Sequence, residues 1–192
     1  MLDATEFNLQ FYGNTYNDCN QVDKGAVFFL EEGARLRDEA SDYSDCSALA
    51  GGLAFVTGHG TYLKITKPRG YITSMFAYQG GVFYAEKGAT VEMTEAVTIK
   101  YSHAYEGTAA YVVDRAHFFA YNDIHIQYNK VFRRGVFSVT DGSQIYIDDA
   151  EISNNKVGFD SAVIHAENNR IEYHLDEGPD SNTFLESWLE NS

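Results

Sequence analysis

An all-β, right-handed parallel β-helix is the fold class this sequence predicts: a solenoid of about six coils of ~27 residues, with three short strands per coil. Three observations predict it. A glycine-like column recurs at Gly25, Gly52, Gly81, Thr108, Gly135 and Ser161, with spacings of 27, 29, 27, 27 and 26 residues. An apolar anchor stands nine residues before each of these: Tyr16, Tyr43, Ile72, Ile99, Ile126 and Ile152. A short apolar run follows each, from AVFFL in the first unit to AVIHA in the last. A fixed period of this size marks a chain whose units stack only on their neighbours.

The elements follow in order. Residues 1–15 read as a lead-in strand or linker, because FNLQFYGN suits an extra strand better than a cap. Residues 16–174 are the repeat domain. In the unit that starts at Gly81, Val82 to Ala85 form the first strand and Glu86-Lys87-Gly88 turns the chain. Val91 and Met93 alternate with polar residues as the second strand, and Val97 and Ile99 mark the third. Alternation over a few residues, broken by Gly, Asp or Asn, is the signature of half-buried strands. Parallel crossovers are almost always right-handed, which sets the expected hand. A propeller blade needs about 40 residues, so the period excludes it. Residues 175–192 leave the repeat, and Leu185, Trp188 and Leu189 fall at helical spacing as a capping turn or tail. Weak capping at the N-terminus favours a piece of a longer solenoid or a module stacked end to end.

Composition narrows the class further. The 192 residues are 44% hydrophobic, which is enough for a core and too much for a disordered chain. They include 14 tyrosines and 13 phenylalanines but two prolines, a balance that suits strands. The net charge of −14 argues against binding nucleic acid or an anionic membrane through the general field. No apolar run is long enough for a membrane span.

Three columns carry the candidate contacts. Three residues after the anchor come Cys19, Cys46, Met75, Ser102, Asn129 and Asn155. Asn129 and Asn155 suit a ladder of stacked amides. Cys19 and Cys46 fall on adjacent coils, close enough for either a disulfide or two stacked thiols. A bridge would imply an oxidising compartment. On the first strand, Phe28, Phe55, Tyr84 and Tyr111 form an apolar stripe beside the column of Val27 and Phe83. Strands apolar on both faces are usually covered on both. With Val27 and Phe83 inward, the stripe faces outward toward a protein partner, another copy or a glycan.

The strongest cluster for chemistry is Asp148, Asp149 and Glu151 in IYIDDAEIS, with Asp123 and His125 one coil earlier. A polysaccharide lyase needs carboxylates for calcium and a base, and a hydrolase needs paired carboxylates. A polar corner between strands explains the same residues. The remaining histidines lack zinc spacing, and Gly58-His59-Gly60 reads as a loop in the longer second unit.

The segments ITSMFAYQGGVFYAEKGATVEM and ISNNKVGFDSAVIHAENNRIEY are similar to repeats of pectin-lyase-like β-helices. They resemble units of very large ciliate surface proteins and of chlamydial polymorphic membrane proteins. The resemblance spans roughly residues 16–174, with the full double-glycine form and its flanks kept only around Gly80-Gly81-Val82-Phe83. It implies a structural or adhesive role at the cell surface or outside the cell, without a cofactor. The expected function is a non-enzymatic module of such an assembly, contacting a protein partner or its own copies. The alternative is a glycan-binding or glycan-cleaving β-helix that uses the acidic patch, with calcium as its one candidate ion.

Overall fold

The computed structural model describes residues 9–21, 23–158, 162–167 and 170–174. Among them every regular element is a strand, and the strands stack in parallel sheets as a β-solenoid. Partners lie one coil apart. Val91 pairs with Leu63 on one side and with Phe118 on the other. The 27-residue period is therefore the hydrogen-bond register itself.

Four sheets run along the solenoid, one more than the sequence predicts. Sheet one holds Phe28–Leu30, Ala54–Thr57, Phe83–Glu86, Ala110–Val112, Phe137–Thr140 and Ile164–Glu167. Sheet two has seven strands, from Leu9–Tyr12 through Thr90–Thr94 to Arg170–His174. Leu9–Tyr12, from the predicted lead-in, pairs with Leu36 to Glu39 at the edge of this sheet. Sheet three runs from Thr15–Asn17 to Ala150–Ser153 and carries the anchor column. Sheet four is the additional one: Phe76–Gln79, His103–Glu106, Lys130–Arg133 and Lys156–Val157. Its hydrophobic pattern is inverted. Ala77 and Ala104 point inward and are buried, while Phe76 and Tyr78 point outward and are exposed. Reading apolar bulk as core therefore hides the strand.

The core is the lumen. Leu63, Ile65, Val91, Met93, Phe118 and Ala120 from sheet two are fully buried. They face Ile72, Ile99 and Ile126 from sheet three and Phe83 and Phe137 from sheet one within one cluster. Each of the larger of these side chains contributes about 1.5–3 kcal/mol by leaving water. Period-2 alternation puts every second residue into this cluster.

Left-handed corners close each coil. Between sheets three and four, Asp18, Asp45, Ser74, Tyr101, Tyr128 and Asn154 all have φ between 53° and 57°. The next residue turns inward, and this is the column of Cys19 through Asn155. Its polar members bind the backbone of the coil below. Asn129 Oδ1 accepts from Ser102 N–H at 2.9 Å, and Asn155 Oδ1 accepts from Asn129 N–H at 2.9 Å. Asn129 Nδ2 donates to Ile99 O at 3.1 Å and to Asn155 Oδ1 at 3.0 Å. The amides thus satisfy groups that the corner takes out of the sheet ladder. Cys19 and Cys46 share the column as free thiols, with Cys46 fully buried and donating to Ser44 O at 3.1 Å.

The corner between sheets four and one explains the double glycine. Gly80 has φ +65°, and a Cβ there would lie 2.2 Å from Phe83 O. At the following Gly81, a Cβ would lie 2.6 Å from Thr108 O on the next coil. The first coil meets this corner one residue late, nine residues after Tyr16 where the second coil takes eight after Tyr43. Gly25 takes the left-handed position of Gly51, and Phe28 pairs with Ala54 instead of Phe55. Phe28 is consequently an inward, buried residue, and Phe29 occupies the outward row. This corrects the placement of Phe28 in the outer stripe.

Two substitutions test the corners. Asn129→Ala leaves Ser102 N–H and Ile99 C=O buried without these partners, and a loss of about 2–4 kcal/mol is expected. Gly80→Ala forces a side chain into a left-handed site against backbone, at a cost of more than about 2 kcal/mol. Both should appear as lower urea midpoints, and midpoints equal to wild type would refute the roles assigned to these residues.

Candidate functional site

The predicted acidic patch is only partly assembled. Asp149 sits in a left-handed corner at φ +51°, and its Oδ2 accepts from Asp123 N–H at 2.9 Å. Glu151 Oε1 accepts from Gln127 Nε2 at 2.8 Å and from Ser153 Oγ at 2.7 Å. His125 lies between two carboxylates, 2.9 Å from Asp123 Oδ1 and 3.3 Å from Glu151 Oε2. Asp148 stays on sheet two, where it accepts from the Tyr146 hydroxyl at 3.3 Å. The Ser153 hydrogen bond holds Glu151 below the usual glutamate range, with Gln127 and His125 adding to it against slight burial. A general acid needs the opposite shift. Among the described residues, no group of three or more His, Cys, Asp or Glu is arranged to hold a metal ion.

On sheet two, Glu92 is nearly buried and receives the Tyr62 and Tyr121 hydroxyls together with Lys64. Burial and Arg37 push the Lys64 amine down, and burial together with Glu92 pushes Tyr121 up to about 12. The carboxylate is spent on its own neighbours, so this cluster ties adjacent coils together.

The predicted stripe of sheet one is closed by its own stacking. Phe29, Phe55, Tyr84 and Tyr111 stack in sequence with centroid separations of 5.6, 4.8 and 5.3 Å. Lys24 Nζ covers Phe55 at 4.4 Å from the ring centre. Phe55 is 1% exposed and Tyr111 7%, and Tyr84 is half-buried, so only Phe29 at the end of the row presents a broad surface.

The open aromatic surface lies on sheet four. One outward row reads Leu49, Tyr78, Tyr105 and Phe132, with stacking at 4.6 Å from Tyr78 to Tyr105 and 5.0 Å from Tyr105 to Phe132. The second reads Phe76, His103, Lys130 and Lys156. Phe76 is 57% exposed, Leu49 55%, Phe132 54% and Tyr78 49%. Between the rows runs a trough of about 510 Å³ floored by Ala48, Ala77 and Ala104. A second cleft of about 430 Å³ adjoins it across Leu49 and Tyr78 and reaches Lys24, Phe55 and Glu86. At the border, Glu106 is fixed by Gln79 Nε2 at 3.0 Å and Arg134 Nε at 3.4 Å. Burial and then Lys130 lower the His103 pKa, so this imidazole is neutral near pH 7. The signal for this face is present in the sequence, because Phe76-Ala77-Tyr78, His103-Ala104-Tyr105 and Lys130-Val131-Phe132 recur 27 residues apart.

A buried acid lies elsewhere, inside the lumen near the first coils. Asp38 is fully buried, and its Oδ1 accepts from Ser41 Oγ at 2.5 Å. Its Oδ2 and the Tyr43 hydroxyl have no partner at hydrogen-bond distance. Burial raises the Asp38 pKa, opposed by Ser41, Tyr43 and Tyr16. Tyr16 stacks on Tyr43 at 5.5 Å, and burial and Asp38 push its hydroxyl up to about 12.

No family model, no curated protein and no solved structure matches this chain. The coil architecture is that of a parallel β-solenoid of about six turns, and no family match supports the expected likeness to pectin-lyase-like repeats. No helix among the described residues is long and apolar enough to cross a membrane.

The Asp38 carboxyl gives a pH test. A carboxyl raised above its ordinary range contributes stability fully below the unfolded-state pKa and loses it as pH rises through the folded value. Asp38→Asn cannot ionise, so it should have a higher urea midpoint than wild type at pH 7. The gap should shrink toward pH 4. A gap that is constant across that range would show that Asp38 does not titrate in this way.

Proposed function

We propose that the chain is a non-enzymatic adhesive or structural β-solenoid module of an extracellular or cell-surface assembly. Its contact surface in this reading is sheet four. The observation that carries the proposal is the double row of Phe76, Tyr78, Tyr105 and Phe132 along a rigid parallel sheet, exposed at Phe76, Tyr78 and Phe132 and contiguous across an alanine floor, whereas Phe55 and Tyr111 in the row of sheet one are buried. Large aromatics that remain exposed in a contiguous patch mark interaction sites. The resemblance to surface-protein repeats supports the same setting. The acidic patch supports the enzymatic alternative less well, since Glu151 and Asp149 are engaged by local hydrogen bonds and Asp148 lies on another sheet.

Hydroxyl-radical footprinting of the native assembly against the isolated chain tests this reading. Phe76, Tyr78 and Phe132 should be oxidised several-fold less in the assembly, while exposed Tyr71 and Tyr12 keep their rate. Equal oxidation of sheet four in both states would refute the assigned contact surface.

A further inference from the structure

Sheet four changes chemistry along the solenoid axis. Its lower coils are apolar, with Leu49, Phe76 and Tyr78 exposed. Its upper coils are basic, with Lys130, Arg133 and Lys156 exposed and Arg134 at the border. Among the described residues, no ion pair engages Lys130, Arg133 or Lys156. The acid on this sheet, Glu106, is nearly buried and already held by Gln79 and Arg134. An unpaired basic end on a chain of net charge −14 is a local departure from the molecule's own field.

The dimensions limit what can bind. With strands ~4.8 Å apart and a rise of ~3.3 Å per residue, four strands of up to four residues give a face of about 250 Å². A standard protein interface buries about 800 Å² per partner. The face is therefore too small for a stable dimer and suits a slender chain. The trough also crosses the strands. Their N–H and C=O groups are spent in the ladders, so an extended peptide lying here gains no main-chain pairing. A polysaccharide brings its own hydroxyls and needs only side-chain partners, which Tyr78, Tyr105, His103 and the lysines provide. Dense charge is disfavoured by the overall field, and a fully neutral polymer leaves the lysines unused.

We infer that sheet four binds an acidic polysaccharide whose carboxylates alternate with neutral sugars. The polymer lies along the trough, with apolar sugar faces against Phe76 and Tyr78 and a carboxylate at Lys130 and Lys156. This inference rests on sheet four being the contact surface, and its test separates the two.

Hyaluronan oligosaccharides, neutral dextran and a poly-glutamate peptide are titrated into the full chain by calorimetry. Hyaluronan is expected to bind at least tenfold more tightly than the other two, and more weakly as salt rises. Lys130→Glu and Tyr78→Ser should each weaken it at least tenfold, with circular dichroism unchanged. Tyr71→Ser, an exposed site outside sheet four, should leave it unaltered. Equal binding of dextran, or insensitivity to Lys130→Glu, overturns the acidic-ligand inference. Tighter binding of poly-glutamate overturns it in favour of an acidic protein segment. Absence of hyaluronan binding while footprinting still protects Tyr78 overturns the ligand class and leaves the contact surface standing. Absence of both removes both.

Discussion

Everything in this molecule depends on residues one coil apart meeting in register. A parallel ladder cannot tolerate drift, because a slip of one residue turns core side chains toward solvent. The left-handed corners enforce that register. At the turn into sheet four, the same φ near +55° recurs whether the residue is aspartate, serine, tyrosine or asparagine. Such a backbone is costly for a side chain as large as that of Tyr101 or Tyr128. Stacking of these two rings at 5.8 Å offsets part of the cost.

Constant geometry makes side chains stack by kind. Amides stack on amides at Asn129 and Asn155, thiols sit together at Cys19 and Cys46, and rings stack on rings along sheets one and four. The two aromatic rows differ in what surrounds them. The row of sheet one is shielded by its own stacking and by Lys24, and it is nearly buried at Phe55 and Tyr111. The row of sheet four stands on a floor of alanines, and its rings project past the surface. The inward residues of sheet four are Ala77, Ala104 and Val131. The bulk that would otherwise be core is displaced outward.

The sequence made the period, the glycine corner, the anchor column and the amide ladder readable, because each depends on residue type at fixed spacing. Ile72, Ile99 and Ile126 are buried on one sheet face, as alternation requires. Sheet four was not readable by the same rule, since Ala77 and Ala104 are its core residues and Phe76 and Tyr78 its surface. The slip at Phe28 was hidden because AVFFL offers two adjacent phenylalanines, and only the left-handed backbone of Gly25 decides which one enters the lumen. The acidic cluster was readable as composition. Its division between two sheets follows from the corner at Asp149, which directs Asp148 and Glu151 to different faces.

That slip in the first coil has a consequence for how such a chain changes over generations. Between the corner at Gly25 and the strand at Phe28, the first coil is one residue out of step with the period, and the solenoid closes nonetheless. The second unit likewise accommodates a longer loop around His59 without disturbing the pairing of Leu63 with Leu36 and Val91. Insertions and deletions at the corners are thus locally absorbed, while whole coils interact only with their neighbours. A lineage built on this plan can duplicate or lose entire coils, lengthening or shortening the face it presents, without redesigning the rest.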